Sequence, residues 1–522
     1  MEFIIAMDAR KLRLLLKTYW VLAVLVAVKL ILQMALVNPV YELHRDEFLH
    51  LDQAFHPAAG YISVPPFTSW MAGLIYLMGG GLFWIRLVPA IFGALTVVVG
   101  WLIVEELGGK LPAKILTSVL LIFSVYARIH VLFQPNAFDI LAWTSVFYFL
   151  IKYLKNHHAK WLLYLSVIVA LGFYNKYTLI FLILGLAAGL LITQQRSLFT
   201  NKNFYYAIGL SLLLLLPNII WQIIHHFPVV QHMKALKETQ LVHVNRMDFL
   251  TDQVKYGLIT IPTLAAFWSL LFYKSFKRYR FVIWTFIIVI ILFTISRAKS
   301  YYTLGLYPVI FAFGSVYLEV VFRRWKNILI SLLVLLHVTA FFAIAKYLMP
   351  IQSPTEIIKD KEVYEKIGLL RWEDGLNHAL PQDFADMLGW KEMADKALTA
   401  YRMIPKQELE NTLIFCDDYG QAGALNYYNR KKTLAAYSFL SDYIYWLPDS
   451  MNIQNMIIVG DDLATEVLAC FEQCNLVGVV ENEFSREQGT KIFLLLGAKD
   501  SATDMFYKTV EERKKQMNIF SR

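Results

Sequence analysis

Between about Tyr19 and Met349 the chain consists mainly of long apolar runs with little charge, and that restricts its fold more than any other feature. A spanning helix needs about 20 apolar residues. Twelve runs are candidates, near residues 19–37, 67–81, 82–104, 113–133, 136–154, 160–174, 177–195, 204–223, 255–273, 281–296, 301–322 and 327–349. Several are short, which suits helices that stop beneath a cavity. The first is too long for a signal-peptide core and lacks a small-residue cleavage site, so it is expected to stay as an anchor. Across the whole chain 57% of residues are hydrophobic and 17% charged, against about 25% charge in a soluble domain. Disorder, collagen and a disulfide scaffold are thereby excluded. The expectation is a polytopic α-helical membrane protein with about 12–13 transmembrane helices over residues 1–349. A soluble α/β domain follows over residues 350–522.

The net charge of +9 reads as a topology signal rather than a nucleic-acid one. Its bases gather in short loops: Arg10, Lys11, Arg13 and Lys17; Lys152, Lys155 and Lys160; Lys274, Lys277, Arg278 and Arg280; Arg323, Arg324 and Lys326. Such loops mark the cytoplasmic face. The N-terminus then lies inside, and three segments lie outside: Asn38 to Pro66, His225 to Lys255, and everything after Pro350. Counting spans from the N-terminus and back from the Lys152–Lys160 loop gives opposite sides. Either a thirteenth span or a broken pair between Asn38 and Pro135 would repair the parity.

The tail alternates strand-like and helical stretches, the pattern of a small α/β domain. The strand-like runs are Thr412–Cys416, Leu434–Ser438, Met456–Val459, Leu476–Val480 and Lys491–Leu496. Helical stretches include Gly389–Ala400, Gln421–Asn429, Leu463–Phe471 and Ala502–Met517. A GxGxxG pattern is missing, so nothing there supports nucleotide binding. Gly460-Asp461-Asp462 is expected to end a strand and cap the next helix. The three cysteines, Cys416, Cys470 and Cys474, are expected as buried structural thiols, with the last two on one helix.

The loop after the first span carries two adjacent acids, Asp46 and Glu47, followed by His50. On a short helix Asp46 and His50 share a face at i and i+4, with Glu47 near His50 at i+3. Such a group can act as a general base or hold a divalent ion; ordinary solvated loop charges look the same in sequence. Lys176, at the outer end of a span, either faces protein and water or snorkels to the interface. Arg297 and Lys299 with Tyr301 and Tyr302 form a basic-aromatic cluster on the outer face. Positive residues there run against the cytoplasmic bias and point to a phosphate site, although the tyrosines also fit an interfacial belt. Asp139, beside Asn136, is either a partner for Lys176 or Arg128, or a catalyst. His225 and His226 follow Trp221-Gln222, as a donor contact, a metal ligand or a polar helix end before Pro228.

The order of several motifs resembles bacterial members of the dolichyl-phosphate-mannose protein mannosyltransferase superfamily (glycosyltransferase family 39 and relatives, including the lipid A aminoarabinose transferase). The likeness begins with Asp46-Glu47, Gly60-Tyr61-Ile62-Ser63-Val64-Pro65-Pro66 and Arg86-Leu87-Val88-Pro89. It continues through Asn136-Ala137-Phe138-Asp139, Asn175-Lys176-Tyr177-Thr178, Leu216-Pro217-Asn218 with Trp221-Gln222, and Arg297-Ala298-Lys299-Ser300-Tyr301-Tyr302. In the tail, Asp418-Tyr419-Gly420-Gln421 and Ser441-Asp442-Tyr443 extend it. The resemblance implies the C-type glycosyltransferase (GT-C) fold, with the catalytic acid on the first outer loop, residues 38–66. It also implies a polyprenyl-phosphate sugar donor and a lipid, glycan or protein acceptor at the outer face of a bacterial inner membrane. By the same match Asp46 is the general base, with Glu47 beside it. Lys176, Arg297, Lys299, Tyr301, Tyr302, Asn136 and Asp139 are then the candidate donor-binding set. Glu47, His50 and His225 are the candidates if a divalent metal takes part; no other cofactor is implied.

A transporter or flippase for lipid-linked sugars would also explain many spans and intramembrane charges. Transporters commonly carry internal repeats; neither Asp46-Glu47 nor Pro65-Pro66 recurs in a second half.

Overall fold

The computed structural model describes residues 9–255, 258–433 and 435–516. The side chains of Arg10, Lys11, Arg13 and Lys17 fall outside the described part, as do Leu434 and Met517, the ends of two expected tail elements.

Each of the twelve apolar runs carries a helix. Among the described residues, four helical stretches are long and apolar enough to cross a membrane: Leu82–Glu106, Pro135–Asn156, Lys202–Ile224 and Ser300–Leu348. The last contains two helices, Tyr307–Phe322 and Lys326–Leu348. A bent pair, Leu179–Leu191 with Gln194–Thr200 at 109°, would make a fifth. Shorter apolar helices are Tyr19–Ala35, Phe67–Leu77, Leu111–Ile122, Lys160–Asn175, Ile261–Phe272 and Phe281–Ile295. Apolar sequence outruns helix because turns interrupt it. The run at 113–133 leaves its helix at Ile122 and re-forms one short turn at Tyr126–Ile129.

The chain divides into two compact units that cut across its order. The first joins the residues up to Val37 with Leu82–Leu215 and Val244–Met349. It is a helical bundle around Trp101, Trp143, Phe147 and Tyr307, all essentially inaccessible. Its helices approach closely where side chains shrink: a Cβ at Gly314 would collide with the Pro262 carbonyl.

The second unit joins Asn38–Gly81, Leu216–His243 and the tail from Pro350. The run near 67–81 belongs here. Its helix, Phe67–Leu77, has 11 residues and ends in Gly79-Gly80-Gly81. At 1.5 Å per residue that is about 16 Å, roughly half of a hydrocarbon core.

The tail is a mixed α/β domain. Strands β1 (Thr412–Cys416), β2 (Ala436–Ser438), β3 (Asn455–Gly460), β4 (Phe471–Val479) and β5 (Lys491–Ala498) lie in the order β2-β1-β3-β5-β4. Its β2, β1 and β3 are parallel, while β5 is antiparallel to both β3 and β4. The expected helix at Leu463–Phe471 shrinks to Thr465–Ala469, and β4 begins immediately after Cys470. Cys474 therefore lies in an edge strand and is exposed, whereas Cys416 and Cys470 are buried. A buried helical thiol was the wrong expectation at 474, because β4 is an edge strand whose residues 472–476 are all exposed. Gly460 does end β3, but the helix that follows starts at Thr465, with Ala464 as an N-cap that gives no side-chain hydrogen bond.

Candidate active site

The loop between the first span and Phe67 folds into one short helix, Arg45–Gln53. Its start is fixed by a capping box: His44 is the N-cap, and the Glu47 carboxylate accepts the His44 backbone N–H at 2.7 Å. Asp46 thus sits in the first turn, where the helix dipole favours a negative charge. Phe48 packs edge-on against Trp390 (centroids 5.7 Å apart) and tilts against Tyr427 and Tyr428. The other end is fastened by polar groups. Asp52 accepts hydrogen bonds from Asn426 at 2.6 Å and Tyr443 at 2.8 Å and pairs with Arg430. Gln53 donates to Asp442 at 2.7 Å, and the other Asp442 oxygen takes the Ile62 N–H at 2.6 Å. The loop helix is therefore pinned at both ends by side chains more than 340 residues further along the chain.

Asp46 itself receives the Tyr419 hydroxyl on Oδ1 at 2.8 Å, with the Arg45 guanidinium 3.7 Å from the same oxygen. Arg45 also reaches Asp386 and Glu373. Burial pushes the Asp46 carboxyl up, but the charges of His44 and Arg45 and the Tyr419 hydroxyl hold it well below the usual carboxylate range. Tyr419 moves the other way: burial and then the Asp46 charge push its phenol up, so it keeps its proton and donates it. Asp46 keeps 36% of its side-chain surface open, so an ionised carboxylate is reachable. His50, on the same helix, is buried and bonded to Gln53 at 3.2 Å, and burial lowers its pKa.

The bundle unit brings together a second group. Lys176 caps the C-terminus of the Lys160–Asn175 helix, and its Nζ donates to Asn136 Oδ1 at 2.7 Å. The same nitrogen lies 4.1 Å from the centroid of Tyr302 and 5.4 Å from that of Tyr301. Asn136 is positioned by Gln134, and Asn175 donates to the Pro135 carbonyl. Asp139 accepts the Trp143 indole N–H at 3.0 Å, and the Lys176 charge acts on its carboxyl. Of the two partners weighed for Asp139, Lys176 is the one the structure supplies. Arg297 and Lys299 occupy the turn leading into the tyrosine pair; Arg297 is exposed at φ +52°. The turn is held from behind by buried Gln253, which accepts from Thr303 at 2.8 Å and Tyr307 at 2.9 Å.

Among the described residues no group of three or more His, Cys, Asp and Glu side chains is arranged to hold a metal ion. Glu47 turns back to cap its helix, and His225 stacks on Trp221 at 4.1 Å. Sequence reasoning missed Arg45, Asp52, Asp386, Arg430 and Gln253. Tyr419 and Asp442 were visible only inside recurring motifs, without a role. For Tyr419 the signal, Asp418 as N-cap with Gln421 three residues later, identifies a helix start and not its target.

Residues 63–221 match the family model described as dolichyl-phosphate-mannose-protein mannosyltransferase. The matched stretch includes the paired prolines, Arg86, Asn136, Asp139, Lys176 and Trp221, and begins after Asp46. Among solved structures, ArnT from Cupriavidus metallidurans bound to undecaprenyl phosphate aligns at 14% identity and a TM-score of 0.58. The alignment covers 91% of this chain and 98% of that one. The apo state of the same protein gives 13% identity and a TM-score of 0.59, over 92% and 98%. Among curated proteins nothing matches. At that identity the likeness shows the fold: a polytopic membrane protein of the GT-C class with a C-terminal mixed α/β region.

Proposed function

We propose, on the premise of a GT-C fold carrying the mannosyltransferase family's sequence over residues 63–221, that the chain is a glycosyltransferase using a polyprenyl-phosphate sugar donor. The observation that carries the reading is Asp46: an ionised, partly open carboxylate at the start of a pinned helix on the first loop. In a single inverting displacement Asp46 takes the proton of an acceptor hydroxyl as its oxygen bonds to the anomeric carbon. The bond from that carbon to the donor phosphate breaks, and the polyprenyl phosphate leaves with the electron pair. Lys176, Arg297 and Lys299 stabilise the charge that grows on the phosphate, with Tyr301, Tyr302, Asn136 and Asp139 holding Lys176 in place. Glu47 acts on the helix rather than on the substrate. The acceptor is a lipid, glycan or protein bearing a hydroxyl.

The same reading places the chemistry at the outer face of a bacterial inner membrane. If Phe67–Leu77 is not a crossing, eleven spans remain, and every basic loop from Lys152 to Lys326 falls on the cytoplasmic side together with the N-terminus. The tail is then extracytoplasmic. Cys474 offers a native reporter, being exposed while Cys416 and Cys470 are buried. A membrane-impermeant thiol reagent should label it in intact spheroplasts; labelling only after lysis inverts the topology.

The enzymatic reading is tested by mass spectrometry of envelope glycolipids and glycoproteins in cells with the gene, without it, and with the Asp46→Asn variant. Loss of one glycosylated species in the second and third strains is expected. A full complement of products with Asp46→Asn removes Asp46 from the role of base. Accumulation of an untransferred lipid-linked sugar on one leaflet only, in cells lacking the gene, would favour a flippase.

A further inference from the structure

Two helix N-termini, far apart in sequence, meet at Asp46. One is its own helix; the other is Tyr419–Asn429 in the tail. The second is capped without any help from Tyr419. Asp418 accepts the Gly420 N–H at 2.7 Å, and Gln421 accepts the Asp418 N–H at 3.1 Å. Nor does the loop helix need the phenol to stay docked, since Phe48 and Asp52 already anchor it. The Tyr419 hydroxyl nonetheless ends 2.8 Å from Asp46 Oδ1, while its ring lies under the Arg45 guanidinium at 5.6 Å. The approach is made possible by Gly420. A Cβ there would stand 3.0 Å from the Arg45 Cβ and 3.1 Å from the Trp390 ring, closer than such atoms normally come.

We propose that Tyr419 is a positioning residue for the glycosyl transfer, seating the Asp46 carboxylate so that its second oxygen faces the acceptor hydroxyl. The tail domain thereby becomes part of the catalytic apparatus. It rests on the reading of Asp46 as base. A carboxylate turns freely about its last bond unless something holds one oxygen, and a misaimed base loses rate without losing affinity. A hydrogen bond to a charged group has the strength to hold it.

The test uses the full chain in cells lacking the native gene, with glycosylated product followed by mass spectrometry over time. Tyr419→Phe keeps the ring over Arg45 and removes only the hydroxyl. Product formation should fall about 10–100-fold, the range of one hydrogen bond to a charged group, at unchanged protein level and thermal unfolding. In an Asp46→Asn background the same substitution should cost nothing further, because the hydroxyl acts only through the carboxylate. Infrared difference spectra of the purified protein supply a readout independent of turnover: the carboxylate band assigned through Asp46→Asn should shift in Tyr419→Phe. Wild-type product formation by Tyr419→Phe overturns the proposal. So does an equal loss in both backgrounds with an unmoved carboxylate band, which would make Tyr419 a residue of the fold alone. Should Asp46→Asn itself keep full activity, the base reading falls first, and the infrared band still shows whether the hydrogen bond exists.

Discussion

Asp46 and Lys176 are held by opposite means. Around Asp46 every neighbour is directional: a phenol hydroxyl, a guanidinium, a capping box and a run of polar anchors behind it. Lys176 makes one short hydrogen bond and is otherwise cradled by the faces of two tyrosines. The contrast matches the proposed chemistry. A base must aim a lone pair along one line, so its angle is fixed. A cation that steadies a leaving phosphate needs only to be close, and ring faces place a charge without neutralising it.

Breaking each side of that contrast should give effects of different size. The largest belongs to the aimed group: Asp46→Asn should lower transfer about 10²–10⁴-fold with donor binding retained, measured as turnover against donor affinity. Lys176→Met keeps the apolar stem and removes the charge. It should lower transfer by roughly 10²-fold, in the range seen for loss of a single oxyanion donor. Unlike Asp46→Asn it should also weaken donor binding; equal donor affinity in both variants would erase the contrast.

How much of this was legible in the sequence depended on the kind of interaction. Hydropathy located all twelve helix-bearing runs, because lipid burial is a property of a run by itself. It did not show that the Phe67–Leu77 helix joins the unit of the first loop and the tail, since composition does not show which neighbours a short apolar helix finds. The acidic pair was conspicuous, and its helix followed from local spacing. Tyr419 and Arg430 were not assignable, because a contact across 373 or 378 residues leaves no local periodicity. Lys176 and the tyrosine pair stood out only because positive charge on an expected outer face needs a reason.

Two smaller effects sharpen the comparison. Burial pushes the Asp442 carboxyl up to about 6. The folded state then binds a proton that the unfolded state has released, between pH 4 and 6, so this group's contribution to stability falls as pH rises through 6. Thermal unfolding of the purified protein should show the tail unit more stable at pH 5 than at pH 7.5, by on the order of 1 kcal/mol. An unfolding temperature independent of pH across that window would mean Asp442 stays ionised within its hydrogen bonds. The smallest change is expected of Tyr302→Leu, which removes the nearer ring face from Lys176. A cation–π contact contributes about 0.5–2 kcal/mol, so donor affinity should fall a few-fold to about thirtyfold, read by equilibrium binding. No change would assign the work of placing Lys176 to Asn136, Asp139 and Tyr301.

The distance in sequence between Asp46 and Tyr419 also sets a schedule. The loop helix is synthesised early, but its partners Trp390, Tyr419, Asn426, Arg430 and Tyr443 all come from the tail. At 5–20 residues per second, 373 residues take roughly 20–75 s to follow. Through that interval a nascent chain already threaded into the membrane holds an unsupported acid. Only when the last domain has been delivered and folded does the helix receive its anchors, so competence arrives late and all at once. On the proposed reading, a half-made copy lacks the contacts that seat Asp46.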